Sequence, residues 1–516
     1  MNGDRPDTRL IVASNRLPVA LNRTPDGQWE AQPASGGLVH ALKYVLQERG
    51  GKWFGWSGVA GDDGVGDALE SASADLAYEM RPIPLTEDQV EDYYFGFSNE
   101  VLWPLFHDMV SRCQFVPRYW RAYDEVNALF ARHIAAETSE HDFIWVQDYH
   151  LIGVARHLRR LGKKRRTGYF LHIPFPPVDI FLKLPWRFQI LESLLAFDTI
   201  GFQTVRDSQN FVSCLRELLT GVTVRSIDDI YVATADGHQT QIGNFPIGID
   251  FKEFDRRASL EAVGAEVALL HQRLPDRQII LGIDRLDYTK GIPERLHAYR
   301  NALSRYPKLI ETTSMLQVVV PSREIVTGYR SMKEEVERLV SEINGEFTRP
   351  GWVPVHYLFR SLSMTELVAF YRASEISLVT PLKDGMNLIS KEYVAANVDI
   401  NGSLILSEFA GSAAQLSEYA ILVNPHDVIG TADAIFRAFE MNESEREYRM
   451  SAMRDIVSET DVFWWTIRSW HWRSKERRGS LRPSTTSYRE WIWLKMRRPA
   501  ISSWRPKLRW TRSPFR

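Results

Sequence analysis

Residues 279–296 read IILGIDRLDYTKGIPERL, and the order of residue types in this stretch decides the fold. The apolar run Ile279 to Ile283 is long enough for a strand buried on both faces and too short for a helix. A polar loop follows, Gly291 closes it, and Pro293 stands where the first turn of a helix begins. Strand, loop and helix in that order are half of a βαβ unit, which implies a parallel sheet. The same grammar recurs outward in both directions. Leu10 to Ala13, Phe143 to Val146, Gly168 to His172, Thr199 to Phe202, Leu316 to Val320, Glu375 to Val379 and Leu404 to Ser407 read as further strands. Between them Leu151 to Leu161, Gln209 to Leu219 and Gly328 to Ile343 carry one apolar stripe at helical spacing. The expectation is an α/β protein of two Rossmann-like, doubly wound parallel-sheet domains facing across a cleft.

The break between the domains falls at FPIGIDFKEFD, residues 245–255, which follows one predicted strand and precedes a charged helical stretch, Arg256 to Leu274. Residues 1–248 are therefore assigned to a first domain and 249–465 to a second. A chain of 516 residues accommodates this easily, since one domain usually takes ~150. With 44% hydrophobic and 25% charged residues the composition is that of a globular protein, which excludes a disordered, collagen-like or disulfide-scaffold chain. Cys113 and Cys214 have no CxxC or Cys/His spacing, so no disulfide framework or zinc site is indicated and a reducing cytoplasm is expected. The start, MNGDRPDTR, lacks the apolar core of a signal peptide, and no apolar run is long enough to span a bilayer, so neither secretion nor a membrane partner is expected.

The formal charge of -2 hides a division. Residues 466–516 hold 15 Lys and Arg against two acids, Glu476 and Glu490, whereas the rest of the chain holds 48 against 63. Six of the 16 tryptophans also fall in this tail, at no steady helical or strand period. Arg, Lys and Trp together can bind single-stranded nucleic acid by phosphate neutralisation and base stacking. The competing reading is a segment not selected for a fold, as translation out of frame would produce. The abruptness of the change favours the second, so the tail is expected to be aberrant or disordered and no nucleic-acid partner is expected.

Four motifs carry chemistry. VASNRLP, 12–18, places Arg16 just after a strand, and SGGLVHAL, 35–42, opens a helix with Gly36 and Gly37, where backbone N–H groups can approach an anion. An ordinary turn is the alternative for the glycine pair. WVQDYHLI, 145–152, and LHIPFPP, 171–177, put Asp148, His150 and His172 at strand ends, expected to project toward the cleft, where a carboxylate can accept sugar hydroxyls. His172 could equally be a satisfied core histidine. Within GIDRLDYTKG, Arg285 and Lys290 are two fixed cations able to neutralise a diphosphate in place of a divalent metal, the alternative being a solvated charge run. VTPLKDGMNLISKEYVAA, 379–396, has an Asp384-Gly385 turn that can aim the amides of Met386 to Ile389 at an anion, with Glu392 one turn further for a ribose; plain capping by Asp384 is the alternative. No HExxH, GxSxG or GxxxxGK[ST] motif stands out, which disfavours zinc proteolysis, serine hydrolysis and P-loop chemistry. What remains is a phosphate and hydroxyl site expected to need no metal or cofactor.

Taken together, SNRLP, SGGL, WFGWSG (53–58), YYFGFSNEVLWPLFH (93–107), QDYHL, HIPFP, DRLDYTKG, DGMNLISKEYVA and LSEFAGSA (406–413) resemble the trehalose-6-phosphate synthase family, collinearly from about Leu10 to Trp465. The resemblance implies a retaining glucosyltransferase of GT-B architecture that joins glucose from UDP-glucose or another nucleotide sugar to glucose 6-phosphate. It implies that Arg16, Tyr94, Trp103, Asp148 and Arg323 form the acceptor pocket. On the donor side it implies Gly36, Gly37, His172, Arg285, Lys290, Leu362, Asp384 and the run Leu388, Ile389, Ser390, Lys391 and Glu392. Arg285, Lys290, Asp148, His172 and Asp384 are the residues it brings to the reaction itself. A homo-oligomer is a further family expectation. Other readings keep the fold and donor with a different acceptor, such as glycerol 3-phosphate, or a catalytically impaired sugar-nucleotide-binding protein. The resemblance ends at DVFWW, inside the crossover by which GT-B chains return to their first domain.

Overall fold

LIVASNR, the first strand of the computed structural model, is buried from Leu10 to Asn15 and exposed only at Arg16. QIILGIDR, the first strand of the second sheet, is likewise buried from Ile279 to Asp284 and exposed at Arg285. Strands apolar along most of their length must be covered on both faces, so they sit centrally in parallel sheets, and the arginine that closes each emerges at the carboxyl edge past buried Ser14 and Asn15 or Asp284. The structure describes residues 9–471 except 25, 27, 34–38, 40, 41, 44, 48, 49, 62–64, 74, 75, 163, 164, 228, 229 and 322–326. Gly36, Gly37, Arg323 and the tail beyond residue 471 lie outside the described residues.

The described strands in chain order are β1 (Leu10–Arg16), β2 (Val19–Arg23), β3 (Trp29–Pro33), β4 (Gly51–Trp56), β5 (Tyr78–Pro82), β6 (Phe143–Gln147), β7 (Arg166–Phe170), β8 (Thr199–Phe202), β9 (Thr223–Ile227), β10 (Ile230–Ala235) and β11 (His238–Asn244). They continue with β12 (Gln278–Arg285), β13 (Thr313–Val320), β14 (Val355–Phe359), β15 (Ile376–Val379), β16 (Ser403–Ser407) and β17 (Ile421–Val423). A nine-stranded sheet has the order β5-β4-β1-β6-β7-β8-β11-β10-β9, parallel except for the β9-β10-β11 meander at its edge. A six-stranded sheet, β14-β13-β12-β15-β16-β17, is parallel throughout, and β2 and β3 form a separate hairpin. Both expected sheets are present.

The strand order locates the site. In the first sheet the direction of winding reverses between β1 and β6, and in the second between β12 and β15. At such a switch point the connections leave to opposite faces and open a crevice beyond the strand ends. Arg16 closes β1, Asp148 follows β6, Arg285 closes β12 and Asp384 follows β15. The side chains of β12 alternate between the faces of its sheet: Ile280 packs with Met315 and Ile376, while Ile279, Leu281 and Ile283 pack with Leu316 and Val379.

Local boundaries depart from expectation where capping or backbone partners decide. The stretch expected as one helix from Arg256 to Leu274 is two, Phe251–Ala258 and Glu261–Arg273, the first capped by Asp250 onto the Glu253 amide. The β7 strand ends at Phe170 rather than His172, because the His172 amide turns to the Asp148 carboxylate at 3.2 Å. Residues Val90–Leu102 form a wide π-type helix in which the Trp103 amide reaches Ser98 O, five residues back. The last described helix, Val462–His471, returns to the first sheet. Its Val462 amide bonds Ile249 O at 2.9 Å, and fully buried Trp465 stacks on Trp145 and meets Phe170 edge-on, both at 5.1 Å. Cys113 and Cys214 are free thiols. No described helix is long and apolar enough to cross a membrane.

Candidate active site

On the first-sheet side an aromatic wall carries the polar groups. The Arg16 guanidinium lies 4.1 Å over the Trp56 ring and 5.6 Å from that of Tyr94. Tyr94 packs edge-on to Trp56 and stacks on His150, which touches Tyr149, which in turn meets Trp103. The π-type helix presents consecutive tyrosines to different tasks: Tyr93 is buried and donates to Asn15 Oδ1 at 3.0 Å, while Tyr94 remains partly exposed on the wall. The two histidines of this region differ in reach. His150 is buried within the wall rather than projecting into open space. Asp148 is partly exposed and held at φ 69°, a conformation costly for a residue with a Cβ. Its amide bonds Phe170 O at 2.7 Å and its Oδ1 accepts from the His172 amide, so the neighbouring strand end holds it there.

On the second-sheet side Lys290 and Asp384 meet at 2.5 Å, with side chains only 12% and 11% exposed. Burial alone would raise the Asp384 carboxyl, but Lys290 beside it brings the net pKa below the usual aspartate value. Capping of the helix Leu388–Ala396 falls to Asn387, whose Oδ1 accepts from the Ser390 amide at 3.1 Å. Asp384 is thereby left for Lys290 and for longer bonds from Asn387 Nδ2 and the Met386 amide, at 3.2 and 3.3 Å. Leu388 and Ile389 occupy the first turn of this helix, where amides have no partner within the helix and the dipole favours an anion. The Glu392 carboxylate accepts from Tyr371 at 2.8 Å, and burial raises its pKa despite that bond. Leu362 lies before the helix Met364–Ala373, partly buried against the same core as Leu388 and Ile389. Arg285 is exposed at the tip of β12 and makes no side-chain hydrogen bond or ion pair among the described residues.

Two close approaches shape the crevice, and the first of them joins these halves. A Cβ at Gly385 would lie 2.3 Å from His172 O and 2.7 Å from the Ile173 Cα, so the Asp-Gly turn passes beneath the HIPFP loop only because position 385 has no side chain. Gly291, at φ 63°, plays the same part for the Lys290 loop, where a Cβ would lie 2.5 Å from Thr380 O. Lys383 pairs with Asp108, and Arg112 lies 4.5 Å over the Tyr288 ring, so the segment after the π-type helix meets the loops after β12 and β15.

Two expected side chains do not face the crevice. The His172 ring points away from the crevice among the strand ends of the first sheet, where Nε2 donates to Gln147 Oε1 at 2.9 Å and Nδ1 accepts from Gln203 at 3.2 Å. Burial pushes its pKa down to about 3, so it is neutral and borders the crevice by its backbone. Lys391 is also turned away, because its helix directs position 391 toward the connection between the two sheets. Its ammonium bonds Ile247 O and Gln415 Oε1, both at 2.6 Å. One residue was not singled out from sequence. His107 is buried, lies tilted against the Trp103 ring at 4.3 Å and donates from Nδ1 to Trp103 O at 2.7 Å. Burial pushes it down to about 4 within the field of Asp287, Asp384 and Lys290. The WPLFH segment contained it, but nothing in the spacing marks its place opposite a loop 180 residues or more away in the chain. Among the described residues no cluster of three or more His, Cys, Asp or Glu could hold a metal ion.

Comparison with known proteins agrees with this geometry. A trehalose-6-phosphate synthase from Mycolicibacterium smegmatis is 43% identical over 463 residues, covering 88% of this chain and 90% of that protein. A crystal structure of an alpha,alpha-trehalose-phosphate synthase (UDP-forming) from Burkholderia xenovorans in complex with glucose-6-phosphate superposes with a TM-score of 0.81 at 33% identity, covering 91% of this chain and all of that one. An E. coli structure bound with UDP-2-fluoro glucose gives a TM-score of 0.81 at 35% identity over 92% of this chain and 100% of that one. The solved relatives are GT-B enzymes, and this fold is theirs. The model of glycosyltransferase family 20 matches residues 8–471, and the chain belongs to that family of glycosyltransferases.

Proposed function

We propose that the protein is a retaining glucosyltransferase that moves glucose from UDP-glucose to glucose 6-phosphate, giving trehalose 6-phosphate and UDP. The observation that carries this reading is the placement of four motif residues, Arg16, Asp148, Arg285 and Asp384, on the strands and loops that flank two topological switch points. The names of the relatives, one holding glucose-6-phosphate and another a UDP-glucose analogue, support the same substrates.

The first domain, 1–248, would take the acceptor and the second, 249–465, the nucleotide sugar. Arg16, stacked on Trp56, offers a fixed guanidinium to the acceptor phosphate, with Arg323 as a second cation. Asp148 accepts sugar hydroxyls, and Tyr94 and Trp103 shape the wall. Gly36 and Gly37, Arg285, Lys290 and the first turn at Leu388 to Ser390 serve the diphosphate. Asp384 serves the transferred glucose, Leu362 the base and Glu392 the ribose. Lys391 is assigned no donor contact, since its ammonium is held elsewhere. In the transfer, the bond from the anomeric carbon to the diphosphate oxygen breaks while the acceptor's anomeric hydroxyl oxygen bonds to the same face of that carbon. The hydroxyl proton passes to the departing phosphate oxygen, so UDP leaves with it. Arg285 and Lys290 hold the charge that grows on the diphosphate, the largest contribution such a site can make.

The free thiols Cys113 and Cys214 support a reducing, cytoplasmic setting, and the family reading carries a homo-oligomer that sedimentation would test. The functional test is UDP release from UDP-glucose by the full-length protein. Release is expected with glucose 6-phosphate and not with glycerol 3-phosphate. The opposite preference, or UDP binding with no release, would replace this reading with one of its alternatives.

A further inference from the structure

Lys391 is 2% exposed, yet both of its acceptors are neutral: a main-chain carbonyl and an amide oxygen. An ammonium buried without a carboxylate is costly, and removing it alone would leave the Ile247 carbonyl and the Gln415 amide oxygen without this donor. The position of its partners shows what the charge does. Ile247 lies in the connection between the two sheets, and its main chain is held on both sides of its Cα. Lys391, from the helix Leu388–Ala396, holds its carbonyl, while Gln203, just beyond β8, accepts its amide proton at 2.9 Å. The same Gln203 side chain donates to His172 Nδ1, and His172 Nε2–H donates to Gln147 Oε1. Gln147 precedes Asp148 in the chain, and the His172 amide holds the Asp148 carboxylate. Gln147, His172, Gln203 and Ile247 are each 3% exposed or less. The direction of every bond is consistent with one neutral tautomer of His172, and burial keeps the ring in that form.

We propose that Lys391 and Gln203 are positioning residues of the transfer, the donor-side end and the middle link of a buried polar ladder. It runs from the helix flanking the donor site, through the interdomain connection, to the strained Asp148 on the acceptor side. The ladder fixes the connection between the domains to both of them. It thereby holds Asp148 at its positive φ in the place where an acceptor hydroxyl must meet the anomeric carbon. This rests on the reading of Asp148 as an acceptor ligand. Gln415, the second acceptor of Lys391, donates to Thr460 Oγ1 at 2.9 Å, so the crossover into the final helix is tied to the same lysine.

The test uses Lys391→Met and Gln203→Leu, single and combined, in the full-length protein. Each single variant is expected to lower kcat/KM for glucose 6-phosphate by about tenfold or more, the scale of a small misplacement of a reacting group. The affinity for UDP alone, measured by calorimetry, should change by less than threefold. The double variant should be no worse than the weaker single one, because both remove the same ladder. Multiplying effects in the double variant, or a Lys391→Met protein that loses UDP affinity in proportion to its loss of turnover, would overturn the proposal. Should Lys391→Met fail to fold, Gln203→Leu, remote from the donor helix, decides the question by the same ratio of acceptor to donor effects. A wild-type protein that releases no UDP with glucose 6-phosphate defeats the functional reading instead. An active wild type with unchanged acceptor kinetics in Gln203→Leu defeats the ladder alone.

Discussion

Lys290→Ala is the most informative single substitution, because it separates stability from turnover in one protein. Lys290 Nζ is 2.5 Å from Asp384 Oδ2, and roughly nine-tenths of each side chain is out of solvent. After substitution the carboxylate keeps only the 3.2 Å bond from Asn387 and the 3.3 Å bond from the Met386 amide. Breaking such a pair strands a charge, at a cost of about 3 kcal/mol, the lower part of the range for buried pairs, because some solvent reaches this one. The pH dependence gives a second handle. With Lys290 present, the Asp384 pKa is depressed, so its contribution to stability is full above the ordinary aspartate value and is lost as pH falls through the lower folded value. Without Lys290 the burial effect is unopposed and the folded pKa rises above that value. The variant's deficit should therefore be largest at neutral pH and shrink as the pH falls toward 4. Urea unfolding at pH 7 and pH 5 measures the deficit, and Lys290→Ala/Asp384→Asn should recover part of it. Turnover should fall on the order of a hundredfold or more, as expected for removing one group that stabilises developing charge. A variant within the error of wild type in stability and in kcat would refute the placement of this pair at the reacting centre.

Arg285→Ala should lower kcat on the order of a hundredfold or more while leaving stability within about 0.5 kcal/mol, since Arg285 is exposed at a strand tip; steady-state kinetics with urea unfolding reads both. Trp465→Ala removes a fully buried ring from between Trp145 and Phe170 and should cost about 3 kcal/mol or more, read as a shift in urea midpoint at unchanged slope. His107 and His172 have folded pKa values of about 4 and about 3 against 6.5 unfolded. Their contribution is therefore intact above pH 6.5 and falls by on the order of 1 kcal/mol per histidine for each pH unit below it, until the folded values are reached. A stability profile flat from pH 6.5 to 4.5 would contradict the burial of both rings.

The parts of this site legible in the sequence are those that depend on chain order. An apolar strand closed by an arginine places Arg16 and Arg285 at a carboxyl edge whatever the rest of the protein does, and Gly291 before Ile292-Pro293 announces a shaped loop. The Asp-Gly turn at 384–385 was legible as a turn, but its glycine is required by the approach of His172 O from a distant segment, which no local pattern records. His172 shows the limit most clearly. As a strand-end histidine it reads as a ligand or as core with equal ease, and the decision lies with Gln147 and Gln203, whose own spacing carries no motif. Lys391 was misplaced for a related reason: a motif names consecutive residues, whereas a helix sends successive side chains to different faces. The π-type winding of Val90–Leu102, which buries Tyr93 and Phe97 in the core, also has no signature in the sequence.

The most direct test of the account is the stereochemistry of the product. Glucose 6-phosphate and UDP-glucose labelled with carbon-13 at the anomeric position, incubated with the full-length protein, should give a non-reducing disaccharide phosphate. Its labelled carbon should show the α-anomeric signal and couple across the new bond to the anomeric position of the acceptor sugar. A β-configured label, a linkage to any other hydroxyl, or free labelled glucose as the sole product would contradict same-face transfer across this cleft.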